Sequence, residues 1–519
     1  MTRAVLACGL CAVALLSGRF PSASQRPSAE FVLEEATIKS VHAAFASGQL
    51  TCVQLVQRYL SRIEGYDHQG PALNAILRVN PSALETAADM DRLDAVTRAR
   101  RPLHCVPVIV KDNYTTRDMP TTGGSLTLAR STPPDDAFVV KRLRQAGALI
   151  LAKSNLTELA RGGTTVSSLG GQTKNPYDLT RTPGGSSGGT GAAIAANFAV
   201  LGTGSDTGQS IRSPASAQSL VGLRPTRGLV SRDGIIPFST TQDEAGPIVR
   251  SVEDAARMLD AVAGYDPADP ITAFGVGRIP ATYTAFLDRD CLRGARIGAL
   301  VDFFGTDAVH REVNSATETA IGKLTEAGAT ILRVNIADID ALTRDLDLGA
   351  FEFKAAFNRY LAGLGHAAPV KTLDEFIARG EFHPSLKSGL ETAQRAVAGV
   401  GDPEYKARVL RRLELRQAVM TVMAANRLDA ILYPHQRRLV ASIGEEQLER
   451  NGVLSNGTGF PAITIPGGFS APTSSAPIGV PIGIELLGPE WSEPMLLKFA
   501  YALEQSAHIR KPPVSTSSR

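Results

Sequence analysis

Residues 184–191 read GGSSGGTG, and this stretch says more about the fold than any other part of the sequence. Its glycines permit positive φ values and a close backbone approach to a ligand, and two hydroxyl groups stand at its centre. A phosphate-binding P-loop would need Lys and then Ser or Thr after the last glycine, whereas Ala192 follows Gly191. A nucleophile elbow needs a strand directly before it, and residues 178–183 are polar and contain a proline. On this stretch alone, an elbow and a flexible glycine-rich surface loop both remain open.

Further characteristic segments surround this stretch on both sides. They are VPVIVKD at 106–112, KSNLTE at 153–158, GGQTKNPYD at 170–178, GTGSDTGQSIR at 202–212, GLRPTRG at 222–228 and DEAGP at 243–247. In this order and spacing, the segments closely resemble the amidase signature family. The resemblance is strong from about residue 100 to 255 and recognisable to about residue 505. Several motifs at the right spacings are far more specific than any single one.

The alternation of helical and strand-like segments predicts an α/β fold. Residues 135–145 have a helical pattern, and the apolar run at 148–152 that follows is typical of a buried strand. The resemblance implies the amidase signature fold, a large mixed β-sheet core covered by helices on both faces. We expect one amidase domain over residues 25–519. Its predicted parts are an N-terminal helical region at 29–101, a signature core at 102–255 and a helical insertion at about 336–428.

The resemblance also implies a Ser–cis-Ser–Lys triad made of Ser210 as nucleophile, Ser186 as proton relay and Lys111 as general base. The two serines are 24 residues apart, as in the family, and this spacing selects Ser186 rather than Ser187. A serine hydroxyl is a poor nucleophile until a base removes its proton. Lys can act as that base only when neutral, which requires burial to lower its pKa. Lys111 ends an apolar strand-like run and is well placed for such burial.

By the same resemblance, the backbone N–H groups of Thr207, Gly208, Gln209 and Ser210 form the oxyanion hole. The family commonly has glycine where Gln209 stands. The backbone donor survives this change, but the side chain is expected to narrow or polarise the pocket. A second departure is Glu244, where many relatives carry a small or hydroxylated residue.

Asp206 and Arg212 flank the predicted nucleophile on its two sides. In some relatives the equivalent arginine contacts a substrate carboxylate, and in others it ties the glycine-rich loops together. Both roles stay open for Arg212, with the structural one favoured. Asp206 is expected to organise the loop as a hydrogen-bond acceptor rather than to act as a catalytic acid.

The overall charge and the histidine pattern exclude several other classes of protein. The chain has 54 basic and 51 acidic residues, so its net charge of +3 gives no strong field for nucleic acid. Its eight histidines show no metal-binding spacing, and neither a metal nor another cofactor is expected. The expected partner is a small-molecule amide, bound by a monomer or homodimer.

The first 24 residues have the pattern of a cleaved export signal. Arg3 precedes an uncharged apolar run at 4–16, and small residues at 22–24 suit signal-peptidase cleavage. A short membrane anchor and a misassigned start codon are the alternatives. Cleavage would leave three cysteines, enough for one disulfide that the sequence does not select. They are Cys52, Cys105 and Cys291. We therefore predict a secreted or periplasmic protein with no stable membrane insertion after cleavage.

Three functions are compatible with these segments. The leading hypothesis is an amidase that hydrolyses carboxylic, peptide-terminal or aryl amides, with esters and carbamates as further candidates. The second is the A-type component of a glutamine-dependent aminoacyl-tRNA amidotransferase, against which an export signal argues, because its partners are cytoplasmic. The third is a non-catalytic binding protein of the same fold, which the presence of all three triad positions disfavours.

Overall fold

One mixed β-sheet of eleven strands forms the centre of the molecule in the computed structural model, which describes residue 1 and residues 30–517. Two further strands, at 166–167 and 171–172, pair with each other in a separate antiparallel hairpin. In chain order the strands are β1 (Ile76–Val79), β2 (Pro107–Lys111), β3 (Leu149–Ser154), β4 (Val166–Ser167), β5 (Gly171–Gln172), β6 (Leu201–Asp206), β7 (Val221–Arg224), β8 (Glu244–Val249), β9 (Arg296–Leu300), β10 (Thr330–Val334), β11 (Ala430–Pro434), β12 (Ala462–Phe469) and β13 (Pro481–Leu487).

The strand order in the large sheet is β1-β3-β2-β6-β8-β7-β12-β13-β11-β9-β10. Strands β3, β2 and β6 run parallel, as do β11, β9 and β10, and the strands between these two groups are antiparallel. The sheet is therefore mixed, as predicted. Strand β13, from the end of the chain, lies near its middle.

Sixteen α-helices are found in the described residues. They are α1 (Ile38–Ala46), α2 (Cys52–Ile63), α3 (Ala83–Asp91), α4 (Ala95–Ala99), α5 (Phe138–Gln145), α6 (Gly188–Ala195), α7 (Arg212–Ala217), α8 (Val252–Val262), α9 (Arg311–Glu326), α10 (Ile339–Leu342), α11 (Gly349–Gly363), α12 (Leu373–Arg379), α13 (Lys387–Arg395), α14 (Pro403–Asn426), α15 (Val453–Thr458) and α16 (Glu493–Ala507). Within residues 30–517, no helix is long and apolar enough to cross a membrane.

The helices cover both faces of the sheet, which confirms the predicted architecture. Alternate residues of β11 enter different hydrophobic clusters, because successive side chains of a strand point to opposite faces. Ala430 and Leu432 pack in a cluster that also contains residues of α9 and α16. Ile431 and Tyr433 pack in a second cluster with residues of α14. Strand β11 is therefore buried on both sides, as its continuous apolar sequence requires.

The N-terminal region at 29–101 is not purely helical. It contains helices α1 to α4, and it also contributes β1, which pairs antiparallel with β3 at the edge of the sheet. A disulfide joins Cys52, at the start of α2, to Cys105, just before β2, and leaves Cys291 free. This link fastens the helical region to the sheet. Apart from Met1, the predicted export signal at 1–24 lies outside the described residues.

The polar block at 336–428 consists of α10 to α14. Helices α10 and α14 pack in the cluster that contains Ile431 and Tyr433 of β11. Helices α11 to α13 form a separate cluster, in which Phe353 stacks on Phe357 and Phe376 packs edge-on against the latter. Leu159 and Ile236 join the same cluster from the signature core. The block is thus attached to the loops around residues 159 and 236 by shared apolar burial.

Candidate active site

Lys111 is the last residue of β2, and its side chain is fully buried. Its Nζ lies 2.7 Å from Ser186 Oγ, 2.9 Å from Ser205 Oγ and 3.3 Å from the Ser205 carbonyl oxygen. Burial lowers the pKa of Lys111 to about 7, although the negative charges of Asp206 and Asp243 act in the opposite direction. Near neutral pH a large share of Lys111 is therefore unprotonated and able to accept a proton.

Ser186 follows a cis peptide bond from Gly185, as the family resemblance implied. Its carbonyl oxygen accepts a hydrogen bond from the Thr157 N–H at 3.0 Å. Gly185 has no room for a side chain, because a Cβ there would lie 2.7 Å from the carbonyl carbon of Gly163. No strand leads directly into this turn, and helix α6 begins two residues later. The turn is therefore neither a strand-borne elbow nor a loose surface loop, since Ser186 is fully buried.

Ser210 lies between β6 and α7 and keeps 7% of its surface exposed. Its carbonyl oxygen accepts a hydrogen bond from the Ser187 N–H at 3.2 Å, which holds the two glycine-rich loops together. The fold thus brings all three predicted triad residues into one place. Lys111 and Ser186 are directly hydrogen-bonded, and Ser210 is fastened to the neighbour of Ser186.

The loop at 207–210 connects β6 to the turn before α7. The Thr207 hydroxyl donates to Asp243 Oδ1 at 2.5 Å, and Asp243 also accepts the N–H groups of Phe238 and Ser239. Among residues 30–517, no hydrogen bond uses the backbone N–H groups of residues 207–210 as donors. Gly208 faces open space. The loop therefore offers free backbone donors beside the Ser210 hydroxyl.

The Gln209 side chain turns toward the loop that ends at residue 452 and is only 6% exposed. With its carbonyl oxygen facing Arg450, it accepts hydrogen bonds from Nη1 at 2.8 Å and Nε at 3.2 Å. Gly452 leaves room for this arrangement, because a Cβ there would lie 2.7 Å from Gln209 Cβ. The residue that departs from the family pattern thus joins the oxyanion loop to an arginine.

Arg212 is completely buried, and all five of its N–H groups find oxygen acceptors. Nε and Nη2 reach Asp206 at 3.1 and 3.3 Å, Nη2 also reaches the Gly208 carbonyl at 2.6 Å, and Nη1 reaches Glu485 at 2.6 Å and the Gly452 carbonyl at 3.1 Å. Burial would raise the pKa of Asp206, but the nearby Arg212 and Arg224 outweigh it, so that this pKa is lowered. No donor of Arg212 is left over for a substrate.

Three residues that the sequence analysis missed complete this buried charge network. Glu485 accepts hydrogen bonds from Tyr433 Oη and His435 Nδ1, each at 2.7 Å, in addition to the one from Arg212. One signal was available in the sequence, because Glu485 interrupts the apolar run of β13. A carboxylate in a strand buried on both faces needs charged or hydrogen-bonding partners. The sequence does not show which residues those partners are.

Asn113 and Ser205 were also missed, and both lie next to Lys111. Asn113 Nδ2 donates to Ser205 Oγ at 2.8 Å, and the same oxygen accepts from Lys111 Nζ. Ser205, itself held by Asn113, therefore helps to fix the position of the Lys111 amine. In the residues that the structure covers, no group of three or more His, Cys, Asp or Glu side chains has a metal-binding arrangement.

Comparison with known proteins agrees with this architecture. The sequence profile of the Amidase family matches residues 54–497. A probable amidase of Arabidopsis thaliana is 37% identical over 514 residues, covering 95% of this chain and 94% of the relative. The A-type component of the glutamyl-tRNA(Gln) amidotransferase of Alkaliphilus metalliredigens is 35% identical, with coverage of 92% and 98%. The crystal structure of native peptide amidase from Stenotrophomonas maltophilia superimposes with a TM-score of 0.84 at 38% identity, covering 93% and 99%.

These matches, together with the sheet and the glycine-rich loops, show that the chain belongs to the amidase family. The predictions of the amidase signature fold and of an amide-hydrolysing enzyme are confirmed. The roles of individual residues rest on the geometry described above.

Proposed function

We propose that this protein hydrolyses linear amides through an acyl-enzyme on Ser210, with Ser186 as proton relay and Lys111 as general base. The observation that carries the proposal is the 2.7 Å hydrogen bond between Lys111 Nζ and Ser186 Oγ inside a fully buried pair. Burial lowers the pKa of Lys111 to about 7, so its amine is partly neutral near pH 7. A buried amine bonded to a serine hydroxyl beside a second serine matches the requirement for base-assisted attack.

In the proposed mechanism, Ser210 Oγ attacks the amide carbon while its proton passes to Ser186, whose own proton passes to Lys111. The tetrahedral intermediate then collapses as the leaving nitrogen receives a proton back through Ser186, and the free amine departs. Water repeats the sequence on the acyl-enzyme and releases the carboxylic acid. Each proton taken up by Lys111 is returned within the same half-reaction, so the lysine ends each half-reaction neutral.

We assign the negative oxygen of the intermediate to the backbone N–H groups of residues 207–210. These donors have no other acceptor among the described residues, and they lie beside the nucleophile. Preorganised backbone donors of this kind typically contribute about 3–4 kcal/mol to lowering the barrier. Arg212 and Asp206 hold the loop that carries these donors, because Arg212 binds both Asp206 and the Gly208 carbonyl.

For the substrate we propose carboxylic, peptide-terminal or aryl amides, with esters and carbamates as secondary substrates of the same acyl-enzyme. Support for peptide-terminal amides comes from the 38% identity to a peptide amidase over nearly the whole chain. The amidotransferase alternative is supported by relatives of that name at 35% identity. Release of ammonia from glutamine that is absent with the protein alone, and appears when amidotransferase partner proteins are added, would favour that alternative.

A substrate panel with four single variants tests the proposal. Wild type should cleave at least one of a set of anilides, primary amides and nitrophenyl esters, and Ser210→Ala should abolish turnover. Ser186→Ala and Lys111→Ala should each lose about 10²- to 10⁴-fold in kcat, as expected for acid–base groups. Ser187→Ala is the matched control, because it removes the adjacent hydroxyl and should lose far less. Full activity in Ser210→Ala, or equal losses in the Ser186 and Ser187 variants, would contradict the triad.

We also propose that the protein is secreted or periplasmic. The charged and apolar pattern of residues 1–24 and the Cys52–Cys105 disulfide support this, because stable disulfides form in oxidising compartments. Cell fractionation combined with thiol alkylation tests it. The exported fraction should carry one alkylatable thiol, Cys291, after denaturation without reductant, and two more should appear after reduction. A cytosolic protein in which all five cysteines of the full chain are free thiols would contradict the proposal.

A further inference from the structure

Arg450 lies next to Gln209, the residue at which the sequence departs from the family pattern. Its guanidinium is hydrogen-bonded to the Gln209 side chain, and its Nε also donates to the Gln447 carbonyl at 2.8 Å. The backbone N–H of Gln209 is one of the proposed oxyanion donors. In the proposed site, Gln209 therefore binds the carbonyl oxygen of the substrate with its backbone N–H and holds the Arg450 guanidinium with its side chain.

The guanidinium of Arg450 also packs over a glycine that lies next to the turn carrying Ser186. A Cβ on Gly163 would lie 3.0 Å from Nη1, 3.3 Å from Cζ and 3.5 Å from Nη2, so the planar group lies across this glycine. Gly163 in turn packs against Gly185, which precedes Ser186. Arg450 thus contacts the loop that carries Ser210 through Gln209 and is separated from the turn that carries Ser186 by Gly163.

The charge of Arg450 is not neutralised by a carboxylate. Within the described residues it forms no ion pair, and its side chain is exposed to solvent. The acidic residue that acts on its charge from a distance is Glu446, which is itself exposed. By contrast, the other arginine near the oxyanion loop, Arg212, is buried and saturated by Asp206 and Glu485. Gln209 is neutral and holds the Arg450 guanidinium without cancelling its charge.

We infer that Arg450 is a specificity-determining residue that binds a carboxylate on the acyl part of the substrate, so that the preferred substrates are amides of acids carrying a second, free carboxyl group. We place the carboxylate on the acyl part rather than on the leaving amine because of Gln209. Its backbone N–H is assigned to the acyl oxygen, and its side chain holds the Arg450 guanidinium. A guanidinium presents a planar pair of donors that matches a carboxylate. This inference rests on the proposed function, because it refines the substrate class of the same site.

The test compares two p-nitroanilides of matched length, the half-anilide of succinic acid and the anilide of butyric acid. Wild type should hydrolyse the charged substrate with a kcat/KM at least about tenfold higher, as expected for a hydrogen bond to a charged group. Arg450→Gln should remove this preference, so that kcat/KM falls at least about tenfold more for the succinic half-anilide than for the butyric anilide. Arg450→Lys should retain part of it. Gln209→Gly should weaken it, because the guanidinium loses its support.

Arg438→Gln is the matched control, because Arg438 lies on the same loop and is paired with Glu449 at 2.7 Å. This variant should keep the full preference. An unchanged preference in Arg450→Gln, or an equal loss for both substrates, would overturn the inference.

Binding to the Ser210→Ala variant separates this inference from the proposed function. By calorimetry, the succinic half-anilide should bind this variant at least about tenfold more tightly than the butyric anilide, and adding Arg450→Gln should abolish the difference. A difference that persists with Arg450→Gln, or no difference at all, overturns the inference whatever the wild-type activity. Selective binding without turnover in wild type would instead refute the proposed hydrolysis and leave the role of Arg450 intact.

Discussion

Lys111 shows how burial alone turns an ordinary side chain into a base. The amine is surrounded by Ser186, Ser205 and the end of a buried strand, and it has no carboxylate within hydrogen-bonding distance among the described residues. Its neighbour Lys153 is equally buried but forms a 2.8 Å ion pair with Asp112. Two buried lysines on adjacent strands therefore have different roles, because only Lys153 has a counter-charge in contact.

The activity of the enzyme should depend on pH through Lys111. Below its pKa of about 7 the amine is protonated and cannot accept the serine proton, so kcat/KM should rise with pH and level off above about pH 8. A pH–rate profile from about 5.5 to 9 measures this, and the value at about pH 6 should be about tenfold below the plateau. Lys111→Arg, which stays charged, should be inactive throughout. A flat wild-type profile would contradict the assignment.

Glu244 is a second buried ionisable residue with unusual surroundings. Neither of its carboxylate oxygens has a hydrogen-bond partner among the described residues. It lines a cavity of about 150 Å³ together with Ser205, Arg232 and Asp243. Burial raises the pKa of Glu244 from 4.5 to about 7, although nearby arginines oppose the shift. The folded protein therefore holds this proton more tightly than the unfolded chain.

Glu244→Gln should consequently change the pH dependence of stability. In wild type, the stabilisation from the bound proton is complete below pH 4.5 and is lost as the pH rises through about 7. The free energy of unfolding of the variant, relative to wild type, should therefore improve by up to about 3 kcal/mol between about pH 4.5 and 8. Urea denaturation at several pH values measures it. A constant difference between the two proteins across this range would rule out titration of Glu244.

At the scale of the elements, the catalytic turn depends on helix α6 packing tightly against the sheet. A Cβ on Gly189, in the first turn of α6, would overlap the carbonyl oxygen of Asn155 and lie 2.8 Å from that of Ala75. These carbonyls belong to the segments beside β3 and β1. The helix can therefore approach the sheet this closely only with glycine at this position.

Gly189→Ala should destabilise the protein by about 1–3 kcal/mol, because backbone atoms must move to make room. Gly322→Ala, in the middle of α9, is the matched control. A Cβ there meets nothing within 4 Å, and alanine should stabilise the helix by about 0.5–1 kcal/mol. Chemical denaturation of both variants measures these changes. Equal effects of the two substitutions would show that α6 is not closely packed.

The sequence predicted strands β2 and β3 well and β1 poorly. Strands β2 and β3 are continuous apolar runs next to motifs, so their position and burial could be read directly. Strand β1 has only four residues in a region of helical periodicity, and it exists because β3 offers it an edge. Such a short edge strand leaves no periodic signal, since its conformation is set by a partner over 70 residues away.

At the scale of the whole molecule, the parts of the site that come from short sequence motifs could be predicted. The parts that distant segments bring together in the fold could not. The motifs at 106–112, 184–191 and 202–212 carried the resemblance to the amidase signature family that implied the triad and its loops. Glu485, His435 and Arg450 come from the last fifth of the chain and reach the site only through the sheet order and the loop before α15. No linear pattern encodes that order, because it depends on which strands pair.

Glu485→Gln should therefore destabilise the whole molecule by about 3–5 kcal/mol. The substitution removes one of the two carboxylates that pair with Arg212, a fully buried cation that also holds the oxyanion loop. Glu490→Gln is the control, because Glu490 forms a more exposed pair with Arg416 and should lose less than about 1 kcal/mol. Thermal and urea unfolding measure both. Similar losses in the two variants would show that the buried network contributes little.

The position of β13 also determines when the enzyme becomes active during its synthesis. Its strand lies between β12 and β11 and carries Glu485, yet it is among the last segments to leave the ribosome. A nascent chain that has reached residue 480 already contains Lys111, Ser186 and Ser210. Arg212 still lacks one of its two carboxylate partners, and the sheet has a gap between β12 and β11. Amide hydrolysis should therefore begin only when almost the entire chain is complete, so an unfinished polypeptide stays catalytically silent.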